Sequence, residues 1–134
     1  MNNWLVKFAP FRYGWQDILK NGKFEIYSIR NPQARNNLKK MRLGDVVLFY
    51  HSQEGNCVMG NMKVIQEAHQ DPTTNDDRWV SVTFEPIDSF DYPLPLSKIR
   101  QIPELQNIGL IKQPRLSVIQ LTKDDYELIR QCAS

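Results

Sequence analysis

Metal ligands and thiols are scarce in this chain, which holds two cysteines and two histidines among 134 residues. Neither Cys57 nor Cys132 falls in a Cys-x-x-Cys or Cys/His spacing, so with His51 and His69 as the whole histidine supply no structural metal site is expected. The cysteines read as free thiols of an intracellular protein and not as a disulfide framework. The six glycines form no phosphate-cradling loop and no dinucleotide fingerprint. A G-x-S-x-G elbow and an H-E-x-x-H string are both missing, which removes two common hydrolase classes. No apolar run approaches a membrane span, and Met1 to Trp4 lacks the charged-then-apolar pattern of an export signal. The expectation is a cytoplasmic protein with no membrane, metal or cofactor requirement, taken as a monomer.

What is present is ordinary in total and uneven in placement. The hydrophobic fraction is 41%, the charged fraction 24% and the net charge +2, values that suit one folded domain over 1–134 and name no partner. The stretch Ile26 to Gly44, IYSIRNPQARNNLKKMRLG, carries five cations (Arg30, Arg35, Lys39, Lys40, Arg42) and no acid. Glu67 to Asp91 carries seven acids against one cation, Arg78. A basic face and an acidic face are therefore expected.

In the basic stretch Asn31 suits a helix N-cap, Pro32 the first helical position and Gly44 a stop. Ala34, Leu38 and Met41 fall on one edge of that helix, and Arg35, Lys39 and Arg42 on the next edge round. One edge packs inward and the other is cationic. Before it, Trp4 to Phe8 reads as a strand, Trp15 to Lys20 as a short helix stopped by Asn21-Gly22, and Phe24 to Ile29 as a strand. After it, Val46 to Ser52 is the strongest strand, apolar enough to be central and covered on both faces. Cys57 to Ile65 follows, with Gly60 marking a bulge or a close backbone approach. His69 to Arg78 reads as a polar loop, Trp79 to Glu85 as a strand and Asp88 to Leu96, with two prolines, as a connector. Weak helix from Leu96 to Gln106, a strand at Val118 to Leu121 and a helix capped by Thr122 complete the chain. The order predicts an α+β fold built on a small curled sheet or barrel with helices on its rim.

A helix N-terminus at Asn31 to Ala34, beside Arg30 and Arg35, is a physical anion site. Lys39 and Arg42 extend it by roughly 10 Å, about two helical turns, which suits a phosphate backbone. Nearby aromatics, Tyr27 above all, offer a stacking surface for a base. An alternative is a small-molecule, nucleoside or hydrolytic site using His51 with Cys57 or Ser52, though no third group is placed to orient the histidine.

Six strings in order, NWLVKFAP, YGWQDIL, IRNPQARNNLKKMRLGDVVLFYHS, VMGNMKVIQEAHQDP, RWVSV and LIKQPRLSVIQLT, resemble the EVE domain, whose members include thymocyte nuclear proteins and many small bacterial proteins. The resemblance covers about Asn3 to Thr122. It implies a PUA-like, strongly curved, mostly antiparallel β-barrel with rim helices, related to YTH and ASCH domains. It also implies a binding module, not an enzyme, that reads a modified base in DNA or RNA by taking it, flipped out, into a pocket. On the matching positions, Asn31, Ser52 and Ser117 are assigned to a base edge, and Arg30, Arg35 and Arg115 to phosphate or to framing the pocket.

Departures from the family pattern fall around that pocket. The usual K-S-E-P is here Lys7-Phe8-Ala9-Pro10, and the row W-D-G-V-R-N-Y is here Ile26-Tyr27-Ser28-Ile29-Arg30-Asn31-Pro32. A hydroxyl, a carboxylate and two aromatics are lost. Phe8 and Tyr27, with Ser28 beside them, are expected to rebuild a differently shaped cage, and Lys39 and Arg42 to face phosphate.

Overall fold

The computed structural model describes residues 1–133. Its centre is β3 (Val46–His51), where Val47 to Tyr50 are all buried, as a strand covered on both faces requires. β1 (Asn3–Phe8) lies parallel to β3 on one side, and β4 (Cys57–Gln70) lies antiparallel on the other. The parallel pair needs a long crossover, which α1 (Pro10–Tyr13), α2 (Trp15–Asn21), β2 (Phe24–Glu25) and α3 (Pro32–Lys40) supply. Beyond β4 runs β5 (Val80–Pro95), and α4 (Leu96–Ile99), a 3₁₀ turn at Pro103–Leu105, α5 (Gly109–Lys112), β6 (Val118–Leu121) and α6 (Lys123–Cys132) follow.

The six strands form one sheet in the order β2-β5-β4-β3-β1-β6. Among the described residues no ladder joins β2 to β6, so the sheet is open and mixed, not the closed barrel expected. Curvature comes from bulges: the β4–β5 ladder shifts register four times and the β3–β4 ladder once.

Several segments differ from the sequence reading: β4 runs on to Gln70, past the expected end at Ile65 and into the expected polar loop, and the short helices α1 and α5 have no counterpart in it. Only Phe24–Glu25 of the expected Phe24 to Ile29 strand pairs with β5, because Ser28 turns the chain away at φ 59°. Asp88 to Leu96, read as a connector, is instead mostly the second half of β5. Its prolines are accommodated because β2 covers β5 only at Thr83 and Phe84, and because Phe90 to Pro93 bulge out between the pairs Gly60↔Ser89 and Val58↔Leu94.

Trp4, Trp15, Phe24, Phe49 and Phe84 anchor a contiguous core. Gly60 is required there: a Cβ would lie 2.1 Å from the Trp15 ring, whose Nε1 donates to Ser89 Oγ at 2.8 Å. Helix α3 follows its sequence signals, with Asn31 Oδ1 accepting from Ala34 N at 2.9 Å and Ala34, Leu38 and Met41 fully buried. It ends at Met41, and Gly44, at φ 85°, serves the turn beyond. That turn is closed by buried Asp45, which accepts from Arg42 N and from Trp4 Nε1. At the far end Thr122 Oγ1 accepts from Asp125 N and opens α6.

Candidate nucleic-acid interface

The end of β1, the residues ahead of α3, the turn after β3 and the segment before β6 surround a cleft of about 550 Å³. The turn after β3 is shaped by three left-handed residues, Gln53, Gly55 and Asn56, at φ 68°, 80° and 45°. Ser52 N donates to Phe8 O and Leu96 N to Asn56 O, so both ends of the turn are tied to neighbouring segments.

The opposite wall, Ser28 to Asn31, is held from behind. Ser28 occupies the left-handed region, which costs a non-glycine residue roughly 1–2 kcal/mol. Its N–H donates to the fully buried carboxylate of Asp71 at 2.8 Å. Asp71 also accepts from Arg30 Nη1 at 3.0 Å and from the N–H and hydroxyl of Thr73 at 2.7 and 2.6 Å. Burial opposes its charge, but the bonds from Thr73, Arg30 and Ser28 prevail and hold the carboxyl below the usual range. The loop Asp71 to Trp79 thus acts as a strut behind the wall.

Of the residues assigned to the base, Phe8, Ser28, Asn31, Ser52 and Ser117 line the cleft, and Tyr27 does not. Tyr27 instead packs edge-on against Phe8, with ring centroids 5.2 Å apart. Arg30 and Arg115 line the cleft; Arg35, Lys39 and Arg42 lie outside it. Arg35 sits 5.4 Å from the Trp79 ring, which Arg30 and Arg78 also flank at 5.5 and 5.6 Å. Arg42 Nη1 donates to the carbonyls of Lys39 and Met41, so its guanidinium closes the C-terminal turn of α3.

The departures separate in the same way. Phe8 and Ala9 line the cleft, whereas Ile26 is fully buried in the core and bonds Val82 and Ser81 through its backbone. Ile26 is therefore a packing position, and Pro32, exposed at the start of α3, is outside the lining. Nor do the acids of Glu67 to Asp91 form one face. Asp76 pairs with Arg78, Glu85 with Lys63 and Asp88 with Arg130, while Glu67 accepts from Leu43 N.

Sequence reasoning misses Lys7, Arg12 and Arg100, which line the cleft from β1, α1 and the end of α4. With Arg30 and Arg115 they make five cations and no acid around one cavity. Lys7 Nζ donates to Pro114 O at 2.6 Å, and burial lowers its pKa. The Arg12 guanidinium lies 4.3 Å from the Phe8 ring centroid and 4.9 Å from that of Tyr27. Two aromatic rings thus support a cationic plate at the cleft edge. Lys7 stands inside the string NWLVKFAP, but nothing in spacing marks Arg12 or Arg100.

The His51 and Cys57 side chains of the alternative reading are both engaged in contacts outside the cleft. The two residues face each other across β3 and β4, but neither lines the cleft. His51 Nε2 accepts from Trp15 N at 2.9 Å, and burial lowers its pKa against the opposing charge of Glu54. Its lone pair is committed to opening α2. Cys57 Sγ lies 3.2 Å from Met59 Sδ, and burial raises the thiol pKa, away from a reactive thiolate.

The fold and the chain order have clear relatives. Human thymocyte nuclear protein 1 is 29% identical over 165 aligned positions, which span 96% of this chain and 72% of that protein. Protein Atu2648 from Agrobacterium tumefaciens superposes with a TM-score of 0.97 at 33% identity, covering 100% of this chain and 94% of its own. The human THYN1 protein, solved in complex with DNA containing 5-methylcytosine, gives a TM-score of 0.89 at 24% identity, covering 100% and 98%. The family model of the EVE domain matches residues 2–132, and the chain belongs to that family.

Proposed function

We propose that this EVE domain is a non-catalytic nucleic-acid-binding module that takes one extruded, modified base into the cleft beside Asn31. The observation that carries the reading is the acid-free ring of Lys7, Arg12, Arg30, Arg100 and Arg115 around a cavity of about 550 Å³. The complex of human THYN1 protein with DNA containing 5-methylcytosine supports the choice of ligand. Extruding a base costs a few kcal/mol, which stacking and hydrogen bonds inside the cleft return. Phe8 and Tyr27 contribute indirectly, by supporting the Arg12 plate on which the base stacks. Ser52, Ser117 and the free amide nitrogen of Asn31 face the base edge, while Arg35, Lys39 and Arg42 meet phosphates outside the cleft.

The test is titration against duplex and single-stranded DNA and RNA oligonucleotides, with and without modified bases, at several salt concentrations. Binding that weakens with salt and depends on the modification is expected. An isotherm indifferent to both would sink the reading.

A further inference from the structure

Four of the five cleft cations have no carboxylate partner among the described residues. Arg30 pairs with Asp71, but Lys7 bonds a neutral carbonyl, Arg12 rests on two rings, and Arg100 and Arg115 form no ion pair. They come from four separate segments and converge on one cavity. Ala9, which carries no charge, lines the cleft beside Phe8. The neutral polar groups of the lining, among them the hydroxyls of Ser28, Ser52 and Ser117 and the amides of Gln53 and Asn56, can accept as well as donate, so it is charge that sets this cavity apart. Asn31 Oδ1 is spent on Ala34 N, leaving that side chain only its amide hydrogens to offer.

An unadorned cytosine edge is neutral and calls for no cluster of cations around it. This cleft concentrates positive charge in a partly enclosed space, where like charges raise one another's cost until an anion arrives. Accepting the proposed nucleic-acid function, we infer that the group entering the cleft carries an anionic, oxygen-rich substituent of its own, a carboxylate on the base or a phosphate monoester at a strand end. Planar guanidiniums suit both, since each can meet two oxygens at once.

Four duplexes of one sequence test this by fluorescence anisotropy at fixed salt: cytosine, 5-methylcytosine or 5-carboxylcytosine at one internal position, and the cytosine duplex with a 5′-phosphate. The 5-carboxylcytosine or 5′-phosphate duplex is expected to bind at least about tenfold more tightly than the 5-methylcytosine duplex, and which of the two does so identifies the source of the anion. Arg12→Gln with Arg115→Gln should shrink that advantage to about twofold or less, with Arg100→Gln as the second variant should the double substitution fail to fold. Equal affinity for the methyl, carboxyl and 5′-phosphate duplexes overturns the inference and leaves the nucleic-acid reading standing. An equal loss on all four duplexes in the variants also overturns it, because the cations would then serve backbone diesters. Absence of binding to every duplex by the unaltered protein overturns both.

Discussion

Two groups of cations in this domain have opposite fates. Around Trp79, Arg30 and Arg78 are matched to Asp71 and Asp76, and the loop between those acids braces the wall at Ser28. Around the cleft, Lys7, Arg12, Arg100 and Arg115 form no ion pair among the described residues. The first group is spent on holding shape. The second is left uncompensated, which destabilises a folded chain slightly through self-repulsion and has a use only when an anion is bound. The distinction between structural and ligand-facing charge here lies in the partner, not in the density of cations along the sequence.

The sharpest way to break the comparison is to remove the strut. Asp71→Ala would leave Arg30 unpaired, strip Ser28 N–H and Thr73 of their acceptor and release the left-handed turn. Because Asp71 is fully buried while the Arg30 side chain is 40% exposed, a loss of about 2–4 kcal/mol is expected, below the upper range for a wholly buried pair. Urea unfolding measures it. A loss under about 1 kcal/mol would mean that the loop does not hold the wall.

The matching substitution on the other side should behave in reverse. Arg115→Gln removes a cation that makes no ion pair among the described residues, so stability should stay within about 0.5 kcal/mol while affinity for the 5-carboxylcytosine or 5′-phosphate duplex falls about threefold. Thermal unfolding beside an anisotropy titration separates the two effects. If Arg115→Gln destabilised the fold as much as Asp71→Ala, the division into two groups would collapse.

Acid provides a third probe. The Asp71 pKa is lower in the folded chain than in the unfolded one, so the unfolded state binds the proton more readily. Its contribution is fully present above the ordinary carboxylate range and is lost as pH falls through the lowered folded value. Stability should therefore decline with acidification below about pH 4, and the decline should be shallower in Asp71→Asn, which has no carboxylate to protonate. Urea midpoints from pH 6 downward check this. Equal slopes in the two proteins would remove Asp71 from the account.

The comparison also marks where sequence reasoning reached and where it stopped. Local signals carried through: Asn31 and Thr122 cap their helices, Val118 to Leu121 is a strand, and Gly60 is where another group comes too close for a side chain. Each depends on a few adjacent residues. The second half of β5 was hidden because the cost of its prolines depends on which neighbours cover them, and that is a property of the sheet. Ile26 stands where the resembled family row has an aromatic, which suggests a pocket position, yet it is fully buried in the core and the left-handed turn at Ser28 carries the following wall in another direction. The cleft cations were the least legible. Arg12 and Arg100 are far apart in the chain, and only the parallel β1–β3 crossover and the turn into α4 bring them to one cavity. Seven acids in one window likewise suggested a face, whereas most of them are consumed singly by nearby donors.

The smallest expected effect concerns the feature most conspicuous in the sequence. Lys39 is exposed on α3, and Arg42 is turned onto carbonyls at the end of that helix; neither reaches the cleft. Charge there can act on a ligand only through phosphates lying outside the cavity, across solvent that screens within about 10 Å at moderate salt. Lys39→Ala should therefore weaken binding about twofold to threefold, by a similar factor whatever base occupies the cleft, and should reduce the steepness of the salt dependence by about one contact. Arg42→Ala should do the same to binding and also cost a few tenths of a kcal/mol by freeing the carbonyls of Lys39 and Met41. Titrations of both variants against methylated and unmethylated duplexes at three salt concentrations decide it. A change in preference between the two duplexes would place these residues with the cleft cations, and the two groups would then have to be redrawn by distance to the ligand instead of by the presence of an acid partner.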